Sequence, residues 1–170
     1  DAVINTTLMV LIILGGLGFV VILDVLERIR HKSVHKKITF HSRLVLVSTA
    51  FLLVSGALLF FWFESANQLQ PLPAGGKLLG SFFQSVTART AGFNTLDISQ
   101  LTNASLFLLI ILMFIGASPG SCGGGIKTTT FMVLLAWIHN HARMRRDVNI
   151  FHRRIPDDTL SRVITVSFFS

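Results

Sequence analysis

The apolar segment at 104–138 constrains the fold of this chain more than any other feature, because it is too long to cross a bilayer as one straight helix. At about 1.5 Å per residue, a continuous helix of that length would reach roughly 52 Å, against about 30 Å of hydrocarbon. Pro119 lies near its centre, directly before the glycine-rich stretch GSCGGGIKT at 120–128. Proline removes a helical hydrogen bond, and glycine adopts conformations that helices do not use. The sequence therefore predicts a break in this segment.

The stretch at 120–128 also resembles a phosphate-binding loop, in which a lysine directly follows the last glycine of G-x-x-x-x-G-K-[ST]. Here Ile126 separates Gly125 from Lys127. The motif further requires a buried β-strand before it, whereas an apolar run at 106–115 precedes this stretch. A nucleotide-binding protein is kept as an alternative, and it predicts a strand before the loop.

Composition indicates a membrane protein. The mean hydropathy is +0.66, and only 14% of the 170 residues are charged. Further apolar runs lie at 8–23 and 44–63, and the second is long enough to span about 30 Å as a helix. A single cysteine, Cys122, excludes an internal disulfide. Because the chain starts without Met and stops inside an apolar run, we expect it to be a segment of a longer polypeptide.

Basic residues are concentrated in two connections, at 28–43 and 139–159. Basic loops stay on the cytoplasmic side, so both are predicted to lie inside, with 64–76 and 95–103 outside. The net charge of +7 then reflects membrane topology, and we expect no nucleic-acid partner. Six histidines lie in or next to the basic connections without a cysteine or acidic cluster, so we expect them to be solvated and to form no metal site.

A short amphipathic pattern at 77–88 lies between two of the apolar runs. As a helix it would be about 18 Å long, too short to cross. It follows a Pro- and Gly-rich turn at 71–76 and precedes a polar stretch, RTAGFNT, at 89–95. Non-helical backbone at membrane depth is tolerated where it is buried in protein or lines water. We therefore expect an all-helical integral membrane fold with a span, a re-entrant loop and a broken second span.

This order of elements resembles a K⁺-channel repeat, and TAGFN at 90–94 stands where such channels carry T-V-G-Y-G. In those filters, backbone carbonyls replace the ion's water shell, and a glycine provides the required backbone conformation. The candidate filter residues are Thr90, Ala91, Gly92 and Phe93. The alternative is an outer loop with an incidental glycine.

Three longer stretches resemble the Trk/Ktr/HKT superfamily of K⁺ transporters, most closely the Ktr-type membrane subunit. They are LIILGGLGFVVI at 11–22, SVTARTAGFNT at 85–95 and FIGASPGSCGGGIKTTTF at 114–131. The resemblance covers essentially the whole chain. It implies a multi-pass plasma-membrane protein with four span–loop–span repeats around one pore, and it implies a transporter rather than an enzyme. A tetrameric K⁺ channel subunit with one filter loop per chain is the second alternative.

The resemblance also implies ions and partners. K⁺ is the transported ion, moved passively or with Na⁺ as a coupling ion, and no cofactor is tightly bound. The protein is expected to be a homodimer in the lipid bilayer, regulated by a cytosolic ring of nucleotide-binding subunits. Within the chain the resemblance implies five parts: the last span of the preceding repeat at 1–27, a cytoplasmic basic loop at 28–43, one complete repeat at 44–138, a cytoplasmic loop at 139–159 and the start of the next repeat at 160–170.

In that family the glycine-rich break is an intramembrane gate below the filter. The gate residues implied here are Ser118, Pro119, Gly120, Ser121, Cys122, Gly123, Gly124, Gly125 and Lys127. Cys122 departs from the small Thr or Ser of many relatives. A static kink in the helix is the alternative.

Three charged residues have two interpretations each. Lys127 is expected to lie wet in the inner vestibule, where it repels cations, or to extend its amine toward the cytoplasm. Arg89 would oppose K⁺ if it pointed into the pore, and we expect it instead to face away and brace the loop by pairing with an acid or with carbonyls. Asp97 either concentrates cations at the outer mouth or caps a helix.

Overall fold

The computed structural model describes residues 2–31 and 38–143, together with the backbone of 149–150 and 153–154. The elements are α1 (Ala2–Leu17), α2 (Phe19–His31), α3 (Phe40–Glu64), α4 (Ala74–Thr87), a 3₁₀ turn (Ile98–Gln100), α5 (Asn103–Phe114), α6 (Thr128–Ala142), β1 (Asn149–Ile150) and β2 (Arg153–Arg154). The described part is mostly helical, as predicted. The exception is the antiparallel pair β1–β2, which the all-helical prediction missed because two-residue strands are too short to show alternating hydrophobicity. The next span predicted at 160–170, together with His35 and His152, lies outside the described residues.

Helix α3 lies at the centre and packs against the other five helices of the described part. Thr39 begins it, because its side-chain oxygen accepts a hydrogen bond from the Ser42 amide at 3.2 Å. By length and composition, α3 could cross a bilayer as a single helix. Helices α1 and α2 would form a second span only if the bent pair is treated as one span.

The span predicted at 1–27 is not one continuous helix. Gly18 has a φ of +81°, and the axes of α1 and α2 differ there by 101°. Gly18 ends α1 because L-residues rarely adopt this left-handed conformation.

The segment at 104–138 is broken, with α5 ending at Phe114 and α6 beginning at Thr128. The short helix before the candidate filter begins three residues earlier than predicted, since α4 includes Gly75 and Gly76 after the extended Pro73. Its C-terminal half is buried against α3. Gly56 of α3 permits this approach, because an added Cβ there would lie 2.5 Å from the Ser85 hydroxyl oxygen.

Candidate functional site

The candidate filter stretch begins where α4 ends, and two residues in left-handed conformations turn it away from the helix axis. Thr90 has a φ of 72° and Gly92 a φ of 76°. The amides of Ala91 and Gly92 both donate to the Thr87 carbonyl, at 3.1 and 3.2 Å. A threonine in this conformation is strained, so the surrounding contacts must hold it.

The Thr87 side chain fixes the far end of the stretch. Its hydroxyl donates to the Phe93 carbonyl at 2.8 Å and accepts from the Phe93 amide, also at 2.8 Å. Among the described residues, no hydrogen bond ends on the carbonyl oxygens of Thr90, Ala91 or Gly92. Three consecutive carbonyls therefore carry no hydrogen bond in the part of the chain that the structure describes.

Replacing Thr87 tests this clamp. Thr87→Val keeps the shape but removes both hydrogen bonds, and we expect the free energy of unfolding of the full-length protein to fall by about 1–2 kcal/mol. Thr87→Ser keeps the hydroxyl and is expected to lose much less. Unfolding in detergent measures both, and equal stability of the two variants would contradict a clamp by the hydroxyl.

A cavity of about 330 Å³ lies beside the filter stretch. Thr90, Gly92 and Asn94 line one side, and Leu109 and Met113 of α5 line the other. Residues 92–95 are exposed in the described part, so the stretch is accessible on more than one side.

The glycine-rich loop at 115–127 closes on itself between α5 and α6. The Ile126 amide donates to the Phe114 carbonyl at 3.0 Å, and the Thr128 amide donates to the Ala117 carbonyl at 3.3 Å. Ile115 and Ile126 are both buried at the base of the loop. The break is therefore a closed loop with a defined base.

Polar side chains hold the interior of the loop. The Ser121 hydroxyl donates to the Ser118 carbonyl at 2.5 Å. The Lys127 amine donates to the Gly123 carbonyl at 2.6 Å, so its charged group bonds to the backbone of the loop itself. Cys122 is exposed at the tip.

The filter stretch and the loop are in contact. Arg89 is buried, at 8% exposed, and its guanidinium donates to the Gly116 carbonyl at 3.4 Å. An added Cβ at Gly123 would lie 2.7 Å from the Thr90 hydroxyl oxygen. The structure thus places the two stretches singled out in the sequence side by side, and Arg89 reaches a carbonyl as expected.

Asp97 caps the 3₁₀ turn at Ile98–Gln100. Its carboxylate accepts from the Ser99 hydroxyl at 2.7 Å and from the Ser99 amide at 3.0 Å. These bonds favour the charged form and lower the pKa of Asp97. The capping contact is therefore present at neutral pH and is lost as the pH falls through this lowered pKa.

Glu64 is the residue that the sequence analysis missed. It is fully buried at the end of α3, and its carboxylate accepts from the Ser105 hydroxyl at 2.5 Å and from the amide and hydroxyl of Thr102, each at 2.8 Å. Asn67 adds a fourth bond at 2.9 Å. The sequence offers one indication of this role: Glu64 directly follows an apolar run, and no other acidic residue lies between Glu27 and Asp97.

The structure contradicts the nucleotide-binding alternative, because helix α5 and not a strand precedes the loop. The comparison with known families agrees. Residues 1–170 match the family described as TrkH, a cation transport protein. The chain belongs to the TrkH family. This membership confirms the predicted superfamily of cation transporters.

Several curated relatives of this TrkH-family chain are potassium uptake proteins by name. Ktr system potassium uptake protein B of Vibrio alginolyticus is 39% identical over 168 residues, covering 98% of this chain and 36% of the relative. Potassium/sodium uptake protein NtpJ of Enterococcus hirae is 40% identical over 159 residues, covering 93% of this chain and 34% of the relative. The chain thus spans just over a third of the length of these relatives. They give no support to the tetrameric-channel alternative.

The fold has a solved counterpart in the potassium transporter TrkH from Vibrio parahaemolyticus. The TM-score is 0.78 at 20% identity, with 97% of this chain and 36% of that chain covered. At this identity the likeness shows the fold alone.

Proposed function

We propose that this chain is part of a plasma-membrane K⁺ transporter in which Thr90, Ala91, Gly92 and Phe93 form one quarter of a carbonyl filter. The observation that carries the proposal is the run of carbonyls at 90–92 that no described hydrogen bond occupies. They follow a short helix whose C-terminal dipole is negative and favours a cation. Carbonyl oxygens replace the hydration shell of K⁺ in filters of this kind.

The remaining filter quarters come from the other three span–loop–span repeats, and the second span of the present repeat is the broken pair α5 and α6. The names of the relatives support K⁺ as the substrate, and the name of NtpJ supports Na⁺ as a coupling ion. A homodimer and a cytosolic nucleotide-binding ring belong to the same proposal, because two of the relatives are named as proteins of Ktr systems.

The glycine-rich loop is proposed as the gate of this pathway. Ser118, Gly120 to Gly125 and Lys127 form a closed unit that contacts the filter stretch through Thr90 and Arg89. Glycines at 120 and 125 have φ values of +74° and +75°, conformations that let the loop pack tightly without helical hydrogen bonds. Lys127 places a positive charge against this loop, where it opposes cation passage in the closed state. Asp97 is proposed at the outer mouth.

The test is Gly92→Ser in the full-length protein, with K⁺ and Na⁺ uptake measured in cells that lack their own K⁺ uptake systems. Because Gly92 has a positive φ and an open surrounding, a serine strains the backbone without a steric clash. We expect the preference for K⁺ over Na⁺ to fall at least tenfold.

The matched control is Gly75→Ser, since Gly75 also has open space around it but no positive φ. We expect the control to keep the K⁺ preference. An unchanged preference in Gly92→Ser, with the protein present in the membrane, would mean that 90–93 is an outer loop and not a filter.

A further inference from the structure

The bend between α1 and α2 and the glycine-rich loop lie against each other and exchange two backbone hydrogen bonds. The Ser118 amide donates to the Gly16 carbonyl at 3.1 Å, and the Phe19 amide donates to the Gly120 carbonyl at 3.3 Å. A broken helix leaves amides and carbonyls without helical partners. Here the bend between α1 and α2 and the glycine-rich loop supply hydrogen-bond partners to each other. Backbone groups freed at both breaks are therefore satisfied without water.

Glycine is required on both sides of this contact. An added Cβ at Gly18 would lie 2.7 Å from the Pro119 carbonyl oxygen, and one at Gly120 would lie 3.1 Å from the Phe19 ring. Both glycines also have positive φ, +81° and +74°. Gly15, on the same helix, has neither a neighbour within 4 Å nor a positive φ.

Helix α2 is attached at a second point. The Asp24 carboxylate accepts from the Thr39 amide at 3.0 Å and from the Thr39 hydroxyl at 2.9 Å. Thr39 is the residue that caps α3. Helix α2 therefore connects the start of α3 with the glycine-rich loop, and it leads into the basic connection at 28–43.

We propose that Gly18 is a positioning residue for the glycine-rich loop, and that α2 (Phe19–His31) transmits displacements of its basic C-terminal end to Gly120. The proposal rests on the gate role assigned above to the loop. A displacement of α2 separates the Phe19 amide from the Gly120 carbonyl, and the loop then loses the contact that holds its first half. A regulator bound on the basic side would thus act on the gate without touching it.

The native Cys122 is exposed and reports on the loop without added groups. The experiment uses the full-length protein with Cys122 as its only cysteine, in membrane vesicles, and measures the rate of its reaction with a maleimide. We expect Gly18→Ala to raise this rate at least threefold and Gly15→Ala to leave it unchanged. Gly120→Ala should also raise it, and the double variant Gly18→Ala/Gly120→Ala should not multiply the two effects, because both break one contact.

A wild-type reaction rate in a folded Gly18→Ala protein would overturn the proposal, and so would effects that multiply in the double variant. If Gly18→Ala does not reach the membrane, Phe19→Ala removes the ring from Gly120 without backbone strain and is expected to raise the rate about twofold. A wild-type rate in that variant would likewise overturn the proposal. If Cys122 reacts faster in Gly18→Ala but the K⁺ flux does not rise above that of the wild-type protein, the positioning by Gly18 is supported and the gate role of the loop is overturned.

Discussion

Gly116→Ala is expected to prevent the glycine-rich loop from closing as it does in the wild-type protein. An added Cβ at this position would overlap the carbonyl oxygen of Gly124 and lie 3.0 Å from the Cα of Gly125. Both neighbours are backbone, so no side chain can rotate away. We expect the free energy of unfolding to fall by more than about 3 kcal/mol, which is the upper end of the usual cost of overpacking. Thermal unfolding of the full-length protein in detergent measures it.

Gly124→Ala is the matched control, because it adds the same methyl group to the same loop at a position with nothing within 4 Å and no positive φ. We expect it to unfold at the wild-type temperature. If Gly116→Ala and Gly124→Ala prove equally stable, the close approach of the two ends of the loop does not stabilise its closed form.

Glu64→Gln is expected to separate α3 from the start of α5. The carboxylate is buried and accepts hydrogen bonds from Ser105, Thr102 and Asn67. An amide of the same shape points an NH₂ group at some of these donors and carries no charge. Because bonds to charged groups contribute about 1.5–3 kcal/mol each, we expect the free energy of unfolding to fall by about 3 kcal/mol.

Denaturation in SDS, followed by the fluorescence of the nearby Trp62, measures the effect in the full-length protein. Ser105→Ala removes the shortest of the bonds and should show a smaller loss of the same sign. Asp97→Asn is the control, because that carboxylate is exposed and, among the described residues, bonds only to Ser99, and we expect no resolvable change. Equal effects of Glu64→Gln and Asp97→Asn would contradict a structural role for the buried carboxylate.

The features that depend on hydrophobic length could be predicted from the sequence. The apolar run at 44–63 lies within the slightly longer α3, and the segment at 104–138 breaks, as its excess over the length of one span predicts. The position of the filter stretch after a short helix also follows, because 77–88 has helical periodicity and cannot span.

The features that depend on distant partners could not be predicted. Gly18 carries the same local signal as a helix-packing glycine, and only its neighbours Pro119 and Gly120, far along the chain, distinguish a bend from a packing site. The donors to Glu64 likewise come from α5 and the residue before it. Gly75 and Gly76 were assigned to a turn because glycine weakens helices, yet the burial of α4 against α3 outweighs that preference.

The closed base of the glycine-rich loop has a consequence for the evolution of such proteins. Because the Phe114 carbonyl and the Ile126 amide bind each other, the exposed tip around Cys122 can change without altering the distance between α5 and α6, whereas Gly116 and Gly120 cannot. Substitutions, or even exchanges of the tip containing Cys122, then leave the membrane-embedded scaffold in register. A chain built in this way can vary at the tip of one loop, while selection on packing maintains the helices around it.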